Sequence, residues 1–67
     1  MGLFAELTSR EKDILNMICK GFSSQEVADN LMISFHTVES HRSNMIAKTM
    51  TKNTAGLVKW AVENEMI

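Results

Sequence analysis

The series of helix start signals is the feature that most constrains how this chain folds. Thr8 is followed three residues later by Glu11, and Ser23 is followed in the same way by Glu26. Each pair matches a capping box, in which each side chain accepts a hydrogen bond from the backbone N–H of the other residue. Because the chain has no proline and only three glycines, its composition favours helices joined by short turns.

Two further N-cap residues, Ser34 and Asn53, begin two more helical segments. Together the four signals and the apolar spacing predict helices over about 8–20, 23–31, 35–49 and 53–64. Gly21 suits the left-handed position that ends the first helix. Apolar and polar residues never alternate long enough to predict a strand. We therefore expect an all-α, four-helix, bundle-like domain with a central helix-turn-helix, formed by residues 1–67 as one unit.

Apolar residues at helical spacing define the expected inner faces of these helices. They are Ile14, Leu15 and Ile18, then Val27, Ala28 and Leu31, then Val38, Met45 and Ile46, and finally Leu57, Val58, Ala61 and Val62. Ile33 precedes the Ser34 cap and pairs with Val38 as a hydrophobic staple. The outer face of the third helix is then expected to carry His36, Glu39, Ser40 and Ser43, with Arg42 at its edge.

Only the residues from Met32 to Ser34 separate the second helix from the third. A turn this short makes the two helices cross steeply, as in a helix-turn-helix motif. In that motif one helix lies in the major groove of DNA while the preceding helix braces against the backbone. The short polar side chains on the outer face of the third helix fit such a groove.

Charge and residue types limit the other functions. The net charge is −1, which is low for a nucleic-acid binder, but residues 35–52 carry a local positive excess. Cys19 is the only cysteine, so an internal disulfide is excluded and an intracellular setting fits best. No catalytic constellation, metal-ligand spacing or glycine-rich phosphate loop is present, so we expect neither an enzyme nor a cofactor or metal site. No stretch is apolar enough to predict a membrane span.

Nearly the whole chain resembles the C-terminal DNA-binding domain of the LuxR/NarL (FixJ) family of bacterial transcription regulators. Thr37–His41 is the most specific match. The other matching segments are Leu7–Glu11, Gly21 with Ser23–Ala28, Leu31 with Ile33–Ser34, then Asn44 and Lys48. The resemblance implies a cytoplasmic regulator, of which this domain is the C-terminal part, with double-stranded DNA, a second copy of the chain and RNA polymerase as partners.

The resemblance also implies roles for individual residues. The helix over 35–49 is the recognition helix, and the helix near 54–64 contributes to dimerisation. The residues expected to contact bases are Glu39, Ser40 and Ser43. Those expected to contact phosphates are Gln25, Thr37, Arg42 and Lys48. Those expected at the dimer interface are Val58, Trp60 and Val62.

Three alternatives stay open at this stage. Glu39 has Arg42 three residues later, so the two could form a surface ion pair instead of contacting DNA. Trp60 could pack into the core of the domain rather than against a second chain. Finally, Glu39 and Ser43 stand where many family members have a basic residue, and this departure would also suit a protein-interaction module with little affinity for DNA.

Overall fold

The computed structural model describes residues 7–65, which form four helices: α1 (Ser9–Cys19), α2 (Ser24–Leu31), α3 (Phe35–Thr49) and α4 (Thr54–Glu63). No strand occurs in this part of the chain, so the all-α expectation is confirmed. The expected bounds ran one residue too far at both ends of α1 and α4 and at the start of α2, because they counted the capping residues as helical. The remaining residues of the expected 1–67 domain lie outside the described range.

All four predicted N-caps are confirmed. Thr8 accepts a hydrogen bond from the Glu11 N–H at 3.1 Å, and Glu11 accepts one from the Thr8 N–H at 2.9 Å. Ser23 and Glu26 form the same reciprocal pair at 3.1 and 2.8 Å. The caps of the other two helices accept one hydrogen bond each, at 3.0 Å for Ser34 and 2.8 Å for Asn53.

All four helices end at a residue with left-handed backbone, and after α4 this residue is Glu65, with a φ of 55°. Gly21 adopts this conformation after α1, as expected, with a φ of 99°. Met32 adopts it after α2 and Met50 after α3, with φ values of 58° and 59°. At α1 the Phe22 N–H donates to the Met17 carbonyl at 3.1 Å, which is the hydrogen bond of a Schellman motif. The same bond recurs at the ends of α2 and α3. The two methionines therefore occupy positions that glycine adopts more easily.

Helices α1 and α3 each pack against all three other helices, whereas α2 and α4 do not contact each other. The buried apolar core draws on all four helices and comprises Leu7, Ile14, Leu15, Ile18, Val27, Ala28, Val38, Met45, Leu57 and Ala61. Leu31, Ile33, Ile46 and Val58 pack against it while half-buried. With α3 held on three sides, its remaining face is fixed toward solvent.

One inner-face expectation is wrong. Val62 is 57% exposed rather than buried. Leu57 and Ala61, four residues apart, lie along the line of α4 that meets the core, and Val62 lies about 100° around the helix from Ala61. Helical spacing placed Ala61 and Val62 within one broad apolar face, but only part of that face packs against the core.

Candidate nucleic-acid interface

The turn between α2 and α3 is as short as the sequence predicted. Helix α2 ends at Leu31 and α3 begins at Phe35. Met32 reverses the chain through its left-handed backbone, and Ser34 then caps α3 by accepting from the Thr37 N–H. The Ser34 and Thr37 hydroxyls are also hydrogen-bonded to each other, at 2.8 Å. These contacts fix the first turn of α3 relative to the end of α2.

The outward face of α3 carries small polar side chains. Val38 and Met45 are fully buried and define the face toward the core. Ser40 and Ser43 are exposed, as expected for residues that contact bases. Three further exposed residues lie on the same outward side at helical spacing: His36, Asn44 and Ala47. His36 was expected on this face, whereas Asn44 and Ala47 were not, although their spacing from Ser40 and Ser43 was the signal that could have identified them.

Glu39 lies at the edge of this open face, three residues after His36 and four before Ser43, rather than at its centre. Its side chain is 29% exposed, and its Oε1 forms an ion pair with Arg42. The hydrogen bond from Arg42, followed by one from the Ser24 side chain, holds the pKa of Glu39 below its usual value. The ion pair that the sequence offered as an alternative is therefore confirmed.

Arg42 also reaches the next helix. Its second terminal nitrogen donates to the hydroxyl of Thr54, the first residue of α4. The remaining guanidinium nitrogen, Nε, is buried and has no hydrogen-bond partner among residues 7–65. Arg42 was expected to contact phosphate, but in this structure its two terminal nitrogens bind Glu39 and Thr54. No sequence signal pointed to Thr54 as a partner.

Lys48, another expected phosphate contact, is paired with a buried acid. Its Nζ lies 2.8 Å from Oε1 of Glu11, a residue that is only 2% exposed. Burial by itself raises the pKa of Glu11, but the hydrogen bonds from Lys48 and from the Thr8 N–H, with the charge of Lys48, outweigh it and leave the pKa lowered. Because the Lys48 side chain is 38% exposed, it also borders solvent beside α3.

The two other expected phosphate contacts are on the surface. Gln25 lies in the first turn of α2, where its amide donates to Asp29 at 3.0 Å. Thr37 is exposed in the first turn of α3. Both lie near helix N-termini, where backbone N–H groups and the helix dipole favour an anion such as phosphate.

The residues expected at the dimer interface divide into two groups. Val58 is half-buried and Val62 exposed, and their spacing of four residues puts them on one side of α4. Trp60 lies two residues from each of them, and residues at that spacing do not face the same way on a helix. Trp60 packs, half-buried, against the core cluster, as the core-packing alternative predicted.

The described residues offer no metal-binding group, because no three His, Cys, Asp or Glu side chains between residues 7 and 65 come together in a suitable arrangement. Nor does any helix in that range have the length and apolar character needed to cross a membrane. His41 is half-buried, and its Nδ1 has no hydrogen-bond partner within the described range.

Residues 5–61 match the sequence model for "Bacterial regulatory proteins, luxR family". The chain is 43% identical over 60 residues to the probable transcriptional regulator ycf29 of Cyanophora paradoxa, covering 90% of this chain and 29% of that protein. It is 45% identical over 60 residues to the CsgBAC operon transcriptional regulatory protein of Escherichia coli, covering 90% of this chain and 28% of that protein.

Two solved structures resemble the fold. One is VqmA in a complex with ligand and DNA from Vibrio cholera, with a TM-score of 0.89 at 25% identity over 94% of this chain and 28% of that one. The other is the response regulator ChrA of a heme-sensing two-component system, with a TM-score of 0.87 at 29% identity over 92% of this chain and 31% of that one. The chain therefore spans less than a third of the length of the relatives it matches.

Proposed function

The chain belongs to the luxR family of bacterial regulatory proteins, and we propose that it reads a specific operator with α3 in the major groove. The chain is a helix-turn-helix domain that binds DNA in transcription regulation. One observation carries this proposal. Helix α3 is held by three other helices on its inner sides and leaves one face of small polar side chains open. A face of this kind can approach base edges closely.

Ser40 and Ser43 are the proposed base contacts, since their hydroxyls are exposed on that face and can donate to or accept from several bases. Glu39, the third expected base contact, reaches DNA only by leaving Arg42 and Ser24. Gln25, Thr37 and Lys48 at the surface are proposed to contact phosphates, whereas Arg42, whose terminal nitrogens bind Glu39 and Thr54, is not. Contacts of this second kind set register and affinity rather than sequence preference.

A homodimer through α4 is the proposed assembly on a two-half-site operator. Val58 and Val62 on one side of α4 are its proposed centre, because Val62 is a large apolar residue left 57% exposed. Trp60 contributes only its partly exposed edge. Half-sites of such a dimer are expected about 10 bp apart or in another arrangement that matches the symmetry of the protein.

The remaining parts of the proposal rest on the family alone. The domain is proposed to be the C-terminal part of a longer cytoplasmic regulator that also contacts RNA polymerase. It acts by binding rather than by catalysis. The net charge of −1 favours one competing function, a protein-interaction module with little affinity for DNA.

The test begins with selection of a preferred duplex from a random-sequence pool by the 67-residue chain. Ser40→Glu combined with Ser43→Glu should then weaken binding to the selected duplex at least about tenfold, since two carboxylates would replace hydroxyls at base edges. The matched control is Ser9→Glu with Asn16→Glu, which adds the same charge at exposed positions of α1.

Gel-shift titration at fixed salt separates the outcomes. Equal affinity of both double variants and the unchanged chain would contradict the assignment of the open α3 face. Failure to enrich any sequence, together with no binding of random duplex at low salt, would favour the protein-interaction module.

A further inference from the structure

Arg42 connects three helices through polar side chains. Its guanidinium binds Glu39 one turn earlier on α3 and the hydroxyl of Thr54 at the start of α4. The side chain of Ser24, the first residue of α2, lies beside Glu39 and helps to lower its pKa. We refer to Ser24, Glu39, Arg42 and Thr54 as the Arg42 bridge. It brings together side chains of α2 and α4, two helices that do not otherwise contact each other.

The bridge differs from an ordinary surface ion pair. The side chains of Arg42 and Glu39 are 31% and 29% exposed, and Nε of Arg42 is buried. Exposed pairs lose most of their energy to solvent and to side-chain entropy, whereas a partly buried guanidinium with partners on two helices is held in one orientation. The bridge therefore restricts geometry more than it contributes to stability.

The position of the bridge matters because the rest of the α3–α4 contact is apolar. Met45 of α3 and Leu57 and Ala61 of α4 belong to the same buried cluster. Packing of apolar ridges into grooves limits the crossing angle of two helices to within about 15–20°, and a directional hydrogen bond narrows that range further. The guanidinium has a planar fork of donors, and it fixes where α4 begins relative to α3.

We propose that Arg42 is a positioning residue that sets the angle between the recognition helix α3 and the pairing helix α4, and thereby the spacing of half-sites that a dimer accepts. The proposal rests on the proposed function, because it requires pairing through α4. In a dimer held by α4, the distance between the two copies of α3 depends on the angle of each α3 to its own α4. Substitution of a bridge residue therefore changes spacing preference rather than base preference.

The bridge also assigns roles to two residues expected to contact DNA. While the bridge is closed, each terminal nitrogen of Arg42 already donates a hydrogen bond within the protein, which orients the guanidinium toward Glu39 and Thr54, and the carboxylate of Glu39 accepts from Arg42. Base reading by α3 then falls to Ser40 and Ser43 on the open face. Glu39 acts through Arg42.

The experiment measures the binding of the 67-residue chain to duplexes carrying two selected half-sites, with the spacer varied one base pair at a time, and to a duplex with a single half-site. Thr54→Val removes the hydroxyl with little change in shape, Arg42→Met removes the guanidinium, and Thr54→Ser keeps the hydroxyl as the conservative control. Both disruptive variants should reduce a tenfold spacing preference to less than threefold. Their single half-site affinity should stay within twofold, and Thr54→Ser should retain the preference.

Other outcomes overturn the proposal in ways that can be told apart. An unchanged spacing profile in both Thr54→Val and Arg42→Met would remove the positioning role and leave the proposed function intact. Weaker single half-site binding and a flatter salt dependence in Arg42→Met alone would make Arg42 a phosphate contact instead.

If the unchanged chain binds single half-sites without any spacing preference, α4 pairing fails and the positioning role fails with it. If it binds no duplex, the proposed function itself fails. Circular dichroism shows whether Arg42→Met folds, and Thr54→Val provides the test if it does not.

Discussion

Lys48 lies between a buried carboxylate and the surface proposed to face DNA. Its ammonium group is hydrogen-bonded to Glu11, which also accepts a hydrogen bond from the backbone N–H of Thr8. A lysine assigned to phosphate binding from its position on α3 thus also holds a charge inside the core. Loss of DNA binding after its substitution would not by itself identify a phosphate contact, because the fold would be weakened at the same time.

We expect Lys48→Met to lower the free energy of unfolding by about 1–3 kcal/mol, because it leaves a buried carboxylate without its cation. In a Glu11→Gln background the same substitution should cost less, because an amide is easier to bury than an unpaired charge. Urea unfolding of the two single variants and the double variant measures the coupling between them. The control is Lys52→Met at an exposed position, which should change stability by less than about 0.5 kcal/mol.

The Glu11→Gln background also isolates the DNA role of Lys48. There, removing the Lys48 charge should lower the slope of log affinity against log salt by about 1, the value for one lost phosphate contact. An unchanged slope would leave Lys48 with its structural role alone. Equal stability losses in the Glu11 and Glu11→Gln backgrounds would contradict the buried ion pair.

At the scale of the helices, the C-terminal ends are less favourable in residue type than the N-terminal ends. Every described helix begins on a side chain that caps it, but only α1 ends on a glycine. The left-handed region costs an L-residue about 1–2 kcal/mol, and the exposed side chains of Met32 and Met50 have almost no packing to offset it. Their presence marks two helix ends that are not optimised for stability.

Met32→Gly and Met50→Gly should each raise the free energy of unfolding by about 0.5 kcal/mol, because relief of the left-handed backbone exceeds the extra unfolded-state entropy of glycine. Gly21→Ala should lower it by about 1 kcal/mol. Since a Cβ at Gly21 would meet nothing within 4 Å, that loss would come from the backbone alone.

The matched control for these helix-end variants is Ala47→Gly, at an exposed position inside α3, which should destabilise by about 1 kcal/mol. Thermal and urea unfolding measure all four variants. A loss of stability in Met32→Gly equal to that in Ala47→Gly would contradict a strained helix end.

Considered as a whole, the domain is small, and its single core takes residues from all four helices. Small domains bury a modest fraction of their surface and are marginally stable. Two acids with lowered pKa values, Glu11 and Glu39, add to the stability of this one unit. Because the domain unfolds as a whole, a proton taken up at either acid affects all four helices together.

Stability should therefore depend on pH in a definite direction. Both carboxyls have lower pKa values in the folded chain than in the unfolded chain, so their contributions are fully present above the unfolded value, about 4.3. The contributions are lost as the pH falls through the lower folded values. Urea unfolding followed across this range should give falling stability on acidification. Glu11→Gln with Glu39→Gln should flatten that part of the profile, and an unchanged acid limb would contradict both lowered pKa values.

The sequence was most informative about elements whose contacts are local. Capping boxes join residues three positions apart, so Thr8 with Glu11 and Ser23 with Glu26 could be read directly, and the helix bounds followed from them. The ion pair between Glu39 and Arg42 was predictable for the same reason. Family resemblance added the role of α3, which local physics alone left as one helix among four.

Other features needed the packed structure. The partners of Arg42 and Lys48 on α4 and α1 depend on how those helices cross α3, and no spacing along the chain encodes that crossing. Val62 was misplaced for a related reason, since helical spacing gives relative directions and only packing decides which part of a broad apolar face is covered.

The series of start signals determined by itself that residues 7–65 form four helices with a short turn before α3, because those hydrogen bonds close within one turn of backbone. Only the tertiary structure decided which polar residues of α3 remain available to DNA. The reason is that Glu39 and Arg42 bind side chains of α2 and α4, and Lys48 a carboxylate of α1, while Ser40 and Ser43 stay open. Helix packing, rather than residue type, separates the proposed readers from the residues that hold α3 in place.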